Sequence, residues 1–214
     1  MQFTNDAIKL LDKSGVKRAA RIAGEAFAAY PVHAIFADDS EGRRVEIATA
    51  VFQMEIGYHC RRKGAYTLGG DFKEVAIFQD ARRDPPKIAL LPHLSFPILR
   101  TLRLVTKEER KAIARFGKEI KAAKKELYLP EGCVELVLLA VEPDHQGKGR
   151  AGRILRAALQ ELKAKGRACM LLTNTLKNTA IYGNYGFRVI KELQHDFEGL
   201  YSYFMLVQPE QMKG

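Results

Sequence analysis

Cysteine is scarce in this 214-residue chain: Cys60, Cys133 and Cys169 are odd in number, lie far apart and form no CxxC pair. That pattern excludes a disulfide framework and a structural zinc site, and three buried thiols are expected. The five histidines, His33, His59, His93, His145 and His195, show no metal-ligand spacing, so no metal is expected. No Ser, His, Asp order stands out. No apolar run approaches the roughly 18 residues that cross a bilayer. The first residues (MQFTNDAIKLLDKSG) carry charges where a signal peptide needs an unbroken apolar stretch, so a cytoplasmic protein without a membrane partner is expected. Internal repeats and low-complexity runs are absent. What is present is a hydrophobic fraction of 47%, enough for a core, in a length that suits one domain or one domain with an insertion.

The periodicities give an order of elements. Ala7 to Leu11 reads as a first strand, and Ser14 as the N-cap of a helix that runs to about Tyr30 and stops at Pro31, with Ile22, Phe27 and the alanines as its apolar stripe. Val51, Met54 and Tyr58 are at helical spacing, predicting a second helix over Val45 to Arg61. Gly64 to Gly69 and Val75 to Gln79 read as strands joined at Gly70-Asp71. Asp84-Pro85-Pro86 is a break, and the broken apolar stretch from Ile88 to Val105 predicts a short irregular or helical lid. Thr106 with Glu109 forms a capping box, after which Ile113, Phe116, Ile120 and Leu127 fall on one helical face and most of the lysines and arginines on the other. Residues 84–127 are expected to form a basic, largely helical segment in a single domain spanning 1–214. A strand follows from Val134 to Val141, then a helix over about Ala151 to Lys165 and a strand over Ala168 to Thr173. A short helix over about Asn178 to Tyr185 leads to strands Phe187 to Leu193 and Tyr201 to Val207, completing a mixed α/β sheet.

Between that strand and helix lies VEPDHQGKGRAG, Val141 to Gly152. Glycine lets a main chain approach a ligand without a Cβ in the way, and the first N–H groups of a helix point at an anion placed there. An ordinary strand-to-helix loop has the same outline. The segment resembles the pyrophosphate loop of the GNAT (GCN5-related) N-acetyltransferase superfamily, Gln/Arg, any, any, Gly, any, Gly/Ala, through Gln146, Gly149 and Ala151, led in by Val141 and Pro143. Downstream, Asn178, Tyr182 and the Gly186-Phe187 pair resemble that family's second signature. The resemblance is good from Val134 to Phe187, weaker from Ser14 to Asp80, and absent between, which implies that residues 84–127 are a basic helical insertion placed as a substrate lid.

The resemblance implies an acyl-CoA N-acyltransferase fold, a mostly antiparallel sheet flanked by helices and splayed between its fourth and fifth strands. It implies an acetyl-CoA-dependent N-acetyltransferase in which a primary amine attacks directly in a ternary complex. The pyrophosphate would be held by the N–H groups of Gly147, Lys148, Gly149, Arg150, Ala151 and Gly152, with Lys148 and Arg150 adding charge. The pantetheine would pair with the edge of Leu139, Ala140 and Val141, the N–H of Leu139 aimed at the thioester oxygen. Asn178 would bond the pantetheine or cap the short helix.

Glu135 is an ionisable residue early in an apolar strand, a costly position unless it is paired, solvated or useful. It matches the strand glutamate that serves as general base in the histone acetyltransferase branch; a substrate-lining or surface carboxylate is the other reading. Tyr182 matches the tyrosine that protonates the leaving thiolate, a step a phenol can perform at neutral pH. Tyr185 is a second candidate, and packing is the alternative for both. The acceptor expected first is a small-molecule amine, with a protein lysine or N-terminal amine second. A noncatalytic acyl-CoA-binding module would have lost these proton-transfer groups. A homodimer through the last strands would be in keeping with similar proteins.

Charge of one sign is in excess. The net charge is +10, and residues 82–126 hold 13 Lys and Arg against 5 Asp and Glu, a net of +8. A solvated helix face, recruitment of the anionic coenzyme, or an acidic macromolecule would each account for it. The sequence offers no stacked aromatics among these basic residues, of the kind single-strand binders show, so nucleic acid is not the expected partner.

Overall fold

The structure, a computed structural model, describes residues 2–35, 40–82, 103–197 and 199–213. The apolar lid expected over Ile88 to Val105 falls for the most part outside the described residues. The elements run β1 (Lys9–Leu10), α1 (Val16–Phe27), α2 (Glu41–Arg61), β2 (Ala65–Thr67), β3 (Glu74–Asp80), α3 (Lys107–Lys125), β4 (Val134–Val141), α4 (Arg150–Ala164), β5 (Cys169–Thr173), α5 (Leu176–Gly183), β6 (Arg188–Gln194) and β7 (Tyr201–Val207). They form one seven-stranded sheet in the order β1-β2-β3-β4-β5-β7-β6, antiparallel except for the β4–β5 pair. Among the described residues no helix is long and apolar enough to cross a membrane.

Side-chain alternation assigns the faces. Ala76, Phe78, Val134, Leu136, Cys169, Leu171, Met205 and Val207 pack with α4 on one face. On the other, Val75, Ile77, Leu138 and Ala140 lie under α1 and α2. That same face is covered over β5 and β7 by α3, whose Ile120 and Ala123, followed by Leu127 and Leu129, pack on Met170 and Phe204. Two helical lobes therefore sit side by side on one face, with the β4–β5 seam between them. Ile113, expected on the buried face, is 37% exposed, because the contact is made further along the helix.

Two predicted caps belong to other residues. Helix α1 begins after Gly15, because the Asp12 carboxylate takes the N–H groups of Ser14 and Gly15 and the Ser14 hydroxyl, leaving Ser14 in a turn. Helix α5 is capped by Thr175, whose Oγ1 accepts from the N–H of Asn178 at 3.1 Å, so Asn178 is free to act through its side chain. The Thr106–Glu109 capping box of α3 is formed as read.

Candidate active site

β4 and β5 pair only from Val134–Cys169 to Leu136–Leu171. Opposite, the β3–β4 register shifts at Ile77/Phe78, so Val137 is an extra residue on β4 and the strand turns away from β5. Beyond Leu136 no strand pairs with β4 on its β5 side, so Leu139 to Val141 present an edge with no strand partner there.

At the end of this gap the chain passes through a 3-10 turn (Pro143–His145) into the glycine loop. Gly147 and Gly149 have φ of 73° and 76°, the left-handed region, and a Cβ at either would meet nothing within 4 Å. These glycines are required by the turn, and the space above them is open. Gly149 is the residue before α4, so the unpaired N–H groups of Arg150, Ala151 and Gly152 open into that space. A Cβ at Gly152 would stand 2.6 Å from the hydroxyl of Tyr185, so this glycine lets Tyr185 close against the helix start.

The loop is tied from below. Gln146 Nε2 donates to the Val141 carbonyl at 3.1 Å. Arg150 is committed to acids, its Nε to the fully buried Glu74 and its terminal nitrogen to Asp71 at 2.9 Å. Its guanidinium therefore holds the loop to the β2–β3 connection, while Lys148 remains exposed. Arg18 of α1 pairs with Glu142, and Lys73 donates to His145 Nε2 at 2.7 Å.

A cavity of about 470 Å³ follows this loop, lined by Leu139 to Val141, Gln146, Gly147, Gly149 to Gly152, Asn178, Tyr182 and Tyr185, with Phe27 and Tyr30 from the first lobe. A second, of about 170 Å³, lies deeper in the seam between Phe27, Tyr30, Val32, Leu136 to Leu139, Leu171 to Asn174, Asn178 and Tyr182. Tyr182 lines both cavities and Tyr185 only the first. Burial raises the Tyr182 phenol above its ordinary range, so it keeps its proton. Its ring stands edge-on to the buried Phe187 at 5.8 Å.

Asn178 joins the two sides of the seam. Its Nδ2 donates to the Tyr30 hydroxyl at 2.6 Å and to Thr173 Oγ1 at 3.2 Å, and those two hydroxyls are 2.8 Å apart.

Glu135 lines neither cavity. It faces Gln79 Nε2 at 2.7 Å and Lys124 Nζ of α3 at 2.6 Å. The sequence reading did not include Lys124, nor Glu55 on α2, whose carboxyl is pushed up to about 7 by burial, with the charge of Glu135 adding. Their only trace in the sequence is an acid inside the apolar stripe of α2. Cys133 and Cys169 are buried, and burial pushes the Cys133 thiol up to about 12. Among the described residues no three His, Cys, Asp or Glu side chains gather as a metal site would require.

Residues 104–189 match the family described as acetyltransferase (GNAT) domain. Over these residues the chain is similar to a GNAT acetyltransferase domain. The match begins at Leu104 and so includes the basic helix α3. No curated protein matches the sequence. Among solved structures, the chain is similar to the histone acetyltransferase HPA2 and related acetyltransferase of Corynebacterium glutamicum, at 16% identity and TM-score 0.59 over 98% of this chain and 97% of that one. It is also similar to the ribosomal-protein-S18-alanine N-acetyltransferase of Escherichia coli, at 16% identity and TM-score 0.54 over 97% and 95%. The PaiA N-acetyltransferase of Thermoplasma acidophilum, in complex with coenzyme A, gives 11% identity and TM-score 0.55 over 94% and 97%. At these identities the likeness establishes the fold alone.

Proposed function

We propose that this GNAT protein is a single domain that transfers the acetyl group of acetyl-CoA to a primary amine by direct attack in a ternary complex, and that the amine is a small molecule. The observation that carries the reading is the meeting of the two cavities at Tyr182: one follows the glycine loop and suits the donor, the other enters the seam and suits the acceptor. The N–H groups of Gly147 to Gly152 would take the pyrophosphate, and Leu139 to Val141 with Asn178 the pantetheine amides. The neutral amine nitrogen bonds the carbonyl carbon, the C–S bond breaks, the thiolate takes the Tyr182 proton, and the proton that the nitrogen sheds on becoming an amide restores the Tyr182 phenol. The ammonium proton leaves through water toward Glu135 and Glu55, where one carboxyl is ion-paired and the other is tuned near neutrality. The 84–127 insertion, through α3, covers β5 and β7 beside the acceptor end. A confined second cavity of about 170 Å³ favours a compact amine over an extended peptide.

Calorimetric titration with acetyl-CoA, coenzyme A and dephospho-coenzyme A tests the donor site, and micromolar binding is expected. A panel of small amines, a lysine peptide and an N-terminal alanine peptide then tests the acceptor by release of free thiol. Turnover of the peptides alone would move the assignment to protein substrates. Tyr182→Phe should lower kcat about 100-fold with acetyl-CoA affinity unchanged; equal loss in both would remove its role as acid.

A further inference from the structure

At the acceptor end a run of polar side chains leads from the cavity to the insertion helix. Asn174, at the end of β5, donates from Nδ2 to the Tyr201 carbonyl and to Ser202 Oγ, both at 2.8 Å. The fully buried Ser202 hydroxyl lies 2.8 Å from His195 Nε2, and His195 Nδ1 lies 2.6 Å from Glu119 Oε2 of α3. The bonds share one direction: Asn174 N–H to Ser202, Ser202 O–H to His195 Nε2, and His195 Nδ1–H to the carboxylate. His195 is enclosed, with a side-chain exposure of 0%, and Phe116 of α3 packs on its ring at 4.6 Å. Burial tends to raise the Glu119 carboxyl, but the bonds from His195 and Arg115 outweigh it and hold it below its ordinary value.

The consequence lies at the other end of the run. Both amide hydrogens of Asn174 are used, which fixes which atom of this amide turns outward. Among the described residues no donor reaches Oδ1 of Asn174, and Asn174 lines the second cavity. Among the described residues lining that cavity there is no Asp, Glu, Lys or Arg, so it offers a carbonyl oxygen, hydroxyls and a second amide but no charged group.

We propose that Asn174 Oδ1 accepts a hydrogen bond from an N–H of the acceptor, that Ser202, His195 and Glu119 are positioning residues holding the amide in that sense, and that the acceptor is therefore a monoamine with an uncharged body. This rests on the acetyl-transfer reading. It makes the insertion helix part of substrate selection, through a residue it does not touch.

The test uses the full chain saturated with coenzyme A. Titration with n-propylamine hydrochloride, followed on the side-chain amide signals of Asn174, is expected to shift them, and Ser202→Ala should abolish the shift while Ser202→Thr, which keeps the hydroxyl, restores it. With acetyl-CoA as donor, Asn174→Ala should raise KM for n-propylamine about tenfold or more, the usual worth of a hydrogen bond to a charged donor. KM for acetyl-CoA and kcat should hold, and a spermidine control should remain the poorer substrate. An amide signal that ignores propylamine, or an equal rise in both KM values, overturns the proposal. If propylamine moves the signal but no amine is acetylated, the binding assignment stands and the acetyl-transfer reading falls. Asn174 lies on a partly exposed loop, so its substitution tests the idea even if Ser202→Ala unfolds.

Discussion

The two ends of the seam are built from different atoms. At the donor end, the groups that would hold a ligand belong to the main chain: the edge of Leu139 to Val141, and the loop whose path is set by Gly147 and Gly149 in the left-handed region. At the acceptor end they belong to side chains, Thr173 and Asn174, each hydrogen-bonded to another side chain or a carbonyl, while Tyr30, Asn178 and Tyr182 border both cavities. A main-chain site tolerates almost any residue that keeps the path of the chain, so it can bind one cosubstrate across many sequences. A side-chain site is respecified by single substitutions, which suits the part of an enzyme that chooses its acceptor.

The sharpest way to break this contrast is at Gly149. In Gly149→Val the left-handed conformation costs about 1 to 2 kcal/mol and the branched side chain fills the open space above the loop. Acetyl-CoA affinity should fall about 100-fold, the worth of two or three ligand hydrogen bonds. Calorimetry together with a denaturation midpoint separates the two effects. A loss of stability without loss of affinity would mean that the loop does not hold the coenzyme.

Next in size is Lys124→Met, which leaves Glu135 with Gln79 but without its cation. Breaking a largely buried pair should cost about 3 kcal/mol. Acceptor turnover and its pH dependence should change, with acetyl-CoA affinity constant within about a factor of two, within the spread of uncoupled sites. A parallel change in coenzyme affinity would show the two ends to be coupled rather than separate.

The last effect is confined to α2, among residues that line neither of these cavities. Burial, with Arg62 adding, pushes His59 down to about 4, so the folded state keeps it neutral while an unfolded imidazole takes up a proton from about 6.5 downward. Its contribution to stability is complete above pH 6.5 and is lost as pH falls toward 4, about 3 kcal/mol in the limit. Glu55, raised from 4.5 to about 7, acts in the opposite sense: stability falls as pH rises through that window. The two slopes offset each other. His59→Gln should reveal a stability that declines from pH 5 to 7, and Glu55→Gln one that climbs, both read from urea midpoints. A flat profile in either variant would show that the group is not desolvated.

Legibility in the sequence followed the same division. β4 and β7 lie over Val134–Val141 and Tyr201–Val207 as their apolar runs predict, and the glycine loop, Asn178 and Tyr182 are gathered around one cavity. All of these are set by neighbours a few positions away. The Glu119–His195 contact spans 76 positions and Arg150–Glu74 spans the same, so no local pattern announces either. Arg150 looked like a free cation beside the phosphate site because its partners lie on the far side of the insertion. Ser14 looked like a cap because it stands before an apolar stripe, but Asp12 offers a stronger acceptor to the same N–H groups. β1 shrank to Lys9–Leu10 because its pairing is with the short β2 alone.

The splay itself has a mechanical meaning. β3 and β4 are matched at seven positions and β5 and β7 at five, whereas β4 and β5 share three. Among the longer strands, β3 to β7, the least stitched line therefore runs through the middle of the sheet, with a helical lobe on each bank. A pantetheine arm lying in the gap would supply the missing rungs and act as a removable strand. On this view the two halves stiffen when the donor arrives and loosen when the spent coenzyme leaves, so that amide exchange along residues 137–141 would keep time with turnover.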